Sequence, residues 1–360
     1  MSRRIGPEDV APLAAGCAVL GTGGGGHTYE AELITLQALE TFGPVPLVPV
    51  DALPAEGILM PLGHIGAPTV SLEKLDSGDE APRIRERVEA ELGLPVVAVM
   101  ASEIGGANGV LPVAYASRLG LPLVDADAMG RAFPEVQMVS MHVVGRHPDL
   151  IVLCDVAGSV VSIRARSGEW AERIARHVTV AFGGTALMAD YVMPAGEARG
   201  AVIEGSVSRA LEIGRATRDT GDPVGALAEA VGGRRLLEGK IVDVERHTTG
   251  GFVRGSATVE GTGADAGRLL RVEIQNEFLA VFEDGEVVAC VPDLICLVDA
   301  QSAAAVPTEL LRYGQRVVAL AFACDPLWRS PRGLAVAGPR AFGYAFDYVA
   351  LEEAAGARPA

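Results

Sequence analysis

Two rhythms of hydrophobic and polar positions divide this chain. Through the first half, stretches with apolar residues every three or four positions alternate with short, almost wholly apolar runs. That spacing predicts helices over 8–20, 28–39, 84–92 and 107–119, and strands over 46–50, 57–61, 95–100 and 121–124. Pro82 suits the first turn of the third helix, where its missing N–H costs nothing. The run Pro-Val-Val-Ala-Val-Met at 95–100 reads as a strand buried on both faces. Strand–helix–strand alternation of this kind implies an α/β layer with a mostly parallel sheet.

The rhythm changes near residue 136. Strands are expected over 136–144, 150–154 and 160–163, and helices over 169–182 and 205–219. Beyond about residue 235 the pattern is almost all β, with strands at 240–245, 252–259, 269–275, 279–282, 287–291, 294–298 and 317–322. Glu283-Asp284-Gly285-Glu286 is a hairpin turn signal. The expected fold is an α/β N-terminal domain with a mostly parallel sheet, followed by a β-rich C-terminal domain, sandwich or barrel-like. The boundary falls within 165–200 and is set at 180/181. No repeat and no low-complexity linker interrupts the chain.

Composition narrows the function. The chain has 360 residues, 30 basic and 46 acidic, a net charge of −16 and no basic tract. It is a poor candidate for nucleic acid or an anionic membrane surface. A hydrophobic fraction of 49% and a mean hydropathy of +0.30 exclude general disorder. Aromatic residues make up only 5%, so the core is aliphatic; the composition is compatible with a homo-oligomer, which is the expectation. Five scattered cysteines without a CxxC argue for reduced cytoplasmic thiols rather than a disulfide framework or a zinc ribbon. Arg3-Arg4 and the apolar stretch to Leu20 mimic a signal peptide, but Pro7, Glu8 and Asp9 interrupt it, so a domain-initial helix is expected.

Four constellations carry candidate chemistry. Gly21-Thr22-Gly23-Gly24-Gly25-Gly26-His27 precedes a helix, where its amides could cradle an anion or a developing oxyanion. It satisfies GxGxxG, but a helix stands where a strand should precede it, and no Lys-Ser/Thr follows. No nucleotide cofactor is expected. Glu103-Ile104-Gly105-Gly106-Ala107-Asn108 follows an apolar strand, where α/β sheets bind ligands; capping by Asn108 is the plainer alternative. Asp125 and Asp127 follow the next strand and share a face if it continues, a pair suited to a cation or a shared proton. Arg131 could fork onto a substrate carboxylate, or simply pair with an aspartate. Asn276 and Glu277 could recognise an amide-like ring or satisfy a buried turn. The histidines show no metal-binding spacing; His64 reads as a core or loop residue.

Together these strings are specific. The chain resembles the S-methyl thiohydantoin desulfurase family, on LGTGGGGHTYEAE (20–32), GAPTVSLEK (66–74), EIGGANGVLP (103–112), VDADAMGRAFPEVQM (124–138), TTGGFVRG (248–255), IQNEFLAV (274–281), VPDLICLVD (291–299), LRYGQRV (311–317) and GPRAFGYAFDY (338–348). The resemblance implies an α/β domain followed by a β-rich one, association with hydantoinase- and oxoprolinase-type enzymes, and hydrolysis of an S-methylated thiohydantoin to a hydantoin and methanethiol. For that reaction, residue chemistry nominates Asp125 and Asp127 to activate water and Glu103 to shuttle a proton. Gly23, Gly24, Gly25, Gly26, Asn108, Asn276 and Glu277 are candidates to hold the ring, and Arg131 an acidic substituent. A divalent metal is compatible, with His27, Asp125 and Asp127 as candidate ligands. A covalent route through Cys154 or Cys290 is an alternative. So are a non-catalytic partner subunit of a hydantoinase-type enzyme and a hydrolase of another hydantoin-like ring.

Overall fold

A computed structural model describes residues 3–67, 70, 73–249 and 252–354. Parts of two motifs, at 68–69, 71–72 and 250–251, lie outside the described residues. In chain order, the first part contains β1 (Arg3–Ile5), α1 (Pro7–Leu20), α2 (Thr28–Phe42), β2 (Val45–Val48), β3 (Ile58–Gly66), α3 (Glu80–Leu92), β4 (Val96–Ala101), α4 (Ala107–Leu119) and β5 (Leu123–Asp127). Then follow α5 (Ser140–Val143), β6 (Ile151–Cys154), β7 (Val160–Ile163), α6 (Gly168–Ala181), β8 (Thr185–Ala189), β9 (Met193–Pro194), β10 (Ile203–Glu204), α7 (Ser206–Ala216) and α8 (Pro223–Val231). The last part holds β11 (Arg234–Thr249), β12 (Phe252–Gly261), β13 (Leu269–Gln275), β14 (Glu277–Glu283), β15 (Glu286–Cys290), β16 (Leu294–Asp299), β17 (Arg316–Phe322) and α9 (Pro331–Ala337).

The N-terminal part is an α/β domain around a sheet of order β1-β2-β5-β4-β3-β8-β6-β7. Its centre, β2-β5-β4-β3, is parallel, and the strands that extend it on either side pair antiparallel. Five of the six residues of β4 are buried, as its unbroken apolar run requires. Helix α4 packs on β3 and β4, while α1 packs on α2, α4 and α7. The α1–α7 contact depends on two glycines: a Cβ at Gly16 would stand 1.8 Å from the Ala210 carbonyl oxygen, and one at Gly214 1.8 Å from that of Pro12.

The C-terminal part is an antiparallel sheet of order β15-β14-β13-β12-β11-β17-β16, curled so that β14 approaches β16. The long β11 makes the curl, pairing β17 along its first half and β12 along its second, with a bulge in each ladder.

Three expectations change. Strands β8, β9 and β10 lie after residue 180 yet pair into the first sheet, so a division at 180/181 does not separate the sheets. Residues 136–144 form no strand: Ser140–Val143 is a short helix, its hydroxyl at Ser140 donating to the Ala201 carbonyl at 2.7 Å. An apolar run this short does not distinguish a buried helix from a strand. Helices α8 and α9 were not foreseen, although each opens on a capping residue and a proline, Asp222-Pro223 and Ser330-Pro331.

Candidate active site

Strand β4 ends at Ala101, and the turn to α4 leaves Glu103 at its carboxyl end, 7% exposed. Its Oε1 accepts from the Asn108 side-chain amide, and its Oε2 accepts the Phe133 N–H at 3.3 Å. Burial raises the Glu103 pKa to about 8. The two hydrogen bonds oppose that rise, and the charges of Asp127 and Asp190 add to it. Glu103 is therefore mainly protonated at neutral pH.

The glycine turn before α2 interlocks with the turn that carries Glu103. The Ala107 and Asn108 N–H groups donate to the carbonyls of Gly26 and Gly25, at 3.1 and 3.3 Å. Gly25 has φ +77°, and a Cβ there would lie 2.2 Å from the Gly105 oxygen. On the other side, Phe278 N–H donates to Thr22 O at 2.7 Å, and Thr308 N–H to Gly23 O at 2.9 Å. The glycine turn thus joins the two sheets through its carbonyls.

Those contacts bring in the start of β14. Asn276 adopts φ +58° at the β13–β14 turn, a conformation asparagine tolerates, and its Oδ1 accepts the Val253 N–H at 2.9 Å. Glu277 is 3% exposed, and its Oε2 has no partner among the described residues. Burial pushes its pKa well up; the charge of Glu103 adds to the shift and that of Arg131 opposes it.

Glu103, Asn108, Asn276 and Glu277 line one cavity of about 160 Å³ between the two sheets. Its wall also holds His64, on β3, and Asp190, just beyond β8. The His64 Nε2 lies 2.8 Å from the Tyr115 hydroxyl and 3.2 Å from Asp76 Oδ2; Tyr115 donates its proton to Asp76 at 2.9 Å. Burial opposes a charged imidazole, but the charge and hydrogen bond of Asp76 outweigh it, so the His64 pKa is raised. Asn108 clamps the His64 backbone, accepting its N–H at 2.7 Å and donating to its carbonyl at 3.4 Å. Asp190 accepts the Ser102 hydroxyl at 2.6 Å, and burial lifts its pKa to about 6.

Two family models divide the chain between them. The S-Me-THD-like N-terminal domain matches residues 8–165, and the S-Me-THD-like C-terminal domain matches residues 166–351. The chain belongs to the S-Me-THD-like family. No curated protein matches the chain. A crystal structure of a protein from Chromobacterium violaceum shares the fold, with a TM-score of 0.80 at 23% identity, over 97% of this chain and all of that one.

Within this S-Me-THD-like chain, the other nominated residues have different placements. Asp125 and Asp127 are not among the cavity-lining residues. Asp125 accepts from the Ser208 N–H at 2.9 Å and hydroxyl at 2.6 Å. Asp127 is fully buried, its Oδ2 accepting the N–H groups of Ile104, Met129 and Gly130 at 2.8, 3.0 and 2.8 Å. Burial raises its pKa to about 7 against those bonds. Arg131 is also fully buried and spans the domains. It donates to the carbonyls of Ala132, Pro292 and Asp293 and to the Thr22 hydroxyl, so its guanidinium is engaged inside the protein, away from the cavity-lining residues.

Gly25, Gly26 and His27 line the cavity, whereas Gly23 and Gly24 line an adjoining groove. The structure does not bring His27 together with Asp125 and Asp127. Among the described residues, no group of three or more His, Cys, Asp or Glu could hold a metal ion. Burial lifts the thiols of Cys154 and Cys290 to about 11, where neither is nucleophilic at neutral pH. Of the residues not nominated, Asp190 had a signal: it follows the apolar run Thr185–Ala189 as Glu103 follows its own strand. His64 and Asp76 had none, being twelve residues apart and joined only by the fold. Among the described residues no helix is long and apolar enough to cross a membrane.

Proposed function

We propose that this S-Me-THD-like protein hydrolyses a small thioimidate ring, converting an S-methyl thiohydantoin to a hydantoin and methanethiol. The observation that carries this reading is the cavity between the domains, with Glu103 and Glu277 both buried in it and both favouring the protonated form. Its volume of about 160 Å³ is below the ~300–1,000 Å³ of drug-sized sites and suits one small ring.

Hydrolysis needs three services: a base for the attacking water, an acid for the departing sulfur and donors for the ring carbonyl. A carboxyl kept neutral at pH 7 by an apolar site supplies the second and third. Glu103 gives its proton to sulfur as the carbon–sulfur bond breaks and the bonding pair leaves with sulfur. It regains a proton from the hydroxyl on the tetrahedral carbon as the new carbonyl forms. Glu277, with an open Oε2, donates to the ring carbonyl. Asn108 fixes Glu103, and burial keeps it protonated, with the charges of Asp127 and Asp190 acting in the same direction.

A free-thiol assay on an S-methyl thiohydantoin, with chromatographic detection of the hydantoin, tests the reading. Equal amounts of thiol and hydantoin are expected. Absence of both, in a folded preparation, would leave the partner-subunit reading in its place.

A further inference from the structure

We propose that His64 is the general base, taking a proton from the attacking water at Nδ1 while Asp76 and Tyr115 hold its other nitrogen. This rests on the hydrolase reading above. The hydrogen bonds settle which nitrogen is free. Tyr115 has one hydroxyl proton and gives it to Asp76 Oδ2, so Nε2 must carry the proton that faces both Tyr115 and Asp76. Neutral His64 then keeps its lone pair at Nδ1.

That Nδ1 is buried without a partner among the described residues, on a side chain that lines the cavity. An enclosed acceptor left unpaired is destabilising, so a water or a substrate group belongs there. Asp76 stands behind the ring, where a carboxylate orients an imidazole and stabilises its charged form after proton uptake. Glu80 adds its charge in the same direction, and Tyr115 stays protonated because burial and Asp76 push its pKa well up. Asp190, another cavity carboxylate, already receives the Ser102 hydroxyl. Asn108 grips the backbone of His64 and the carboxyl of Glu103, so one side chain sets base against acid.

The step balances without an oxidant. An O–H bond of water breaks toward Nδ1 as the water oxygen bonds to the carbon bearing sulfur. The carbon–nitrogen π pair moves onto the ring nitrogen, which then receives the proton from Nδ1. Glu103 completes the reaction as described.

The test uses the full chain and measures thiol release against pH for the wild type, H64Q, D76N and D190N. Calorimetric binding of the product hydantoin serves as the control for the cavity. H64Q is expected to lose at least 100-fold in kcat while binding hydantoin within threefold of the wild type. D76N removes the charge that raises the His64 pKa, so the acidic limb of kcat/KM should move at least half a unit lower; this readout stands even if H64Q fails to fold. An H64Q kcat within threefold of the wild type, or hydantoin binding lost in step with the rate, overturns the proposal. So does an acidic limb unmoved in D76N or abolished only in D190N. A wild type that releases no thiol overturns the hydrolase reading and the proposal together, so the two failures are told apart.

Discussion

Asp127 Oδ2 accepts the backbone N–H of Ile104 at 2.8 Å, and this contact ties the end of β5 to the turn that carries Glu103. With Met129 and Gly130 on the same oxygen, the carboxylate serves as an internal scaffold for two loops at once. Asp127→Ala should cost ~3 kcal/mol or more by leaving three N–H groups unpaired. Asp125→Ala loses only the Ser208 contacts at a half-buried position and should cost ~1 kcal/mol with turnover near the wild type. Urea unfolding and thiol release on both variants check the contrast. Lost turnover in a stable Asp125→Ala would restore the paired-aspartate mechanism.

Glu103 sets a pH dependence of stability. Its carboxyl is raised from 4.5 to about 8 in the fold, so the folded state binds more protons across that window. Its stabilising contribution is complete below pH 4.5 and is lost as pH rises through about 8. At ~1.4 kcal/mol per unit, the contribution is bounded near ~5 kcal/mol. Glu103→Gln is always neutral and should therefore unfold at a higher temperature than the wild type at pH 9, with the gap narrowing toward pH 5. Thermal melts across this range measure it; parallel curves for the two proteins would contradict the protonated Glu103.

The domain interface rests on two positions with no slack. Arg131→Met leaves three carbonyls and the Thr22 hydroxyl without their donor and should cost ~3 kcal/mol or more. Gly25→Ala places a Cβ 2.2 Å from the Gly105 oxygen at φ +77° and should prevent the two turns from closing. Both variants should lose cooperative unfolding at physiological temperature. If Arg131→Met keeps its melting temperature and loses only affinity for acidic rings, the arginine is a substrate ligand.

The sequence made the α/β-then-β order legible because its period switches near residue 235, close to where β11 begins. Glu103, Asn108, Asn276 and Glu277 were legible for a local reason: each sits where a strand turns into a helix or a hairpin. Asp127 and Arg131 are likewise polar residues at or just beyond a strand end, but the side that each faces depends on packing. One folds under the β4 turn and the other across to residues 292–293. His64 was hidden because a polar residue in an apolar strand signals nothing until Asp76, Tyr115 and Asn108 arrive from other elements.

The central claim is that a protonated Glu103 delivers the proton on which release of sulfur depends. The most direct test is enzyme-dependent thiol release from an S-methyl thiohydantoin between pH 5 and 10, for the wild type and Glu103→Gln. The wild type should lose kcat as pH rises through about 8, where the Glu103 carboxyl gives up its proton. Glu103→Gln should be ~100-fold to 10,000-fold slower, with no limb at that pH. A wild-type rate that climbs steadily past pH 9, or a Glu103→Gln rate within a few-fold of the wild type, would contradict the account.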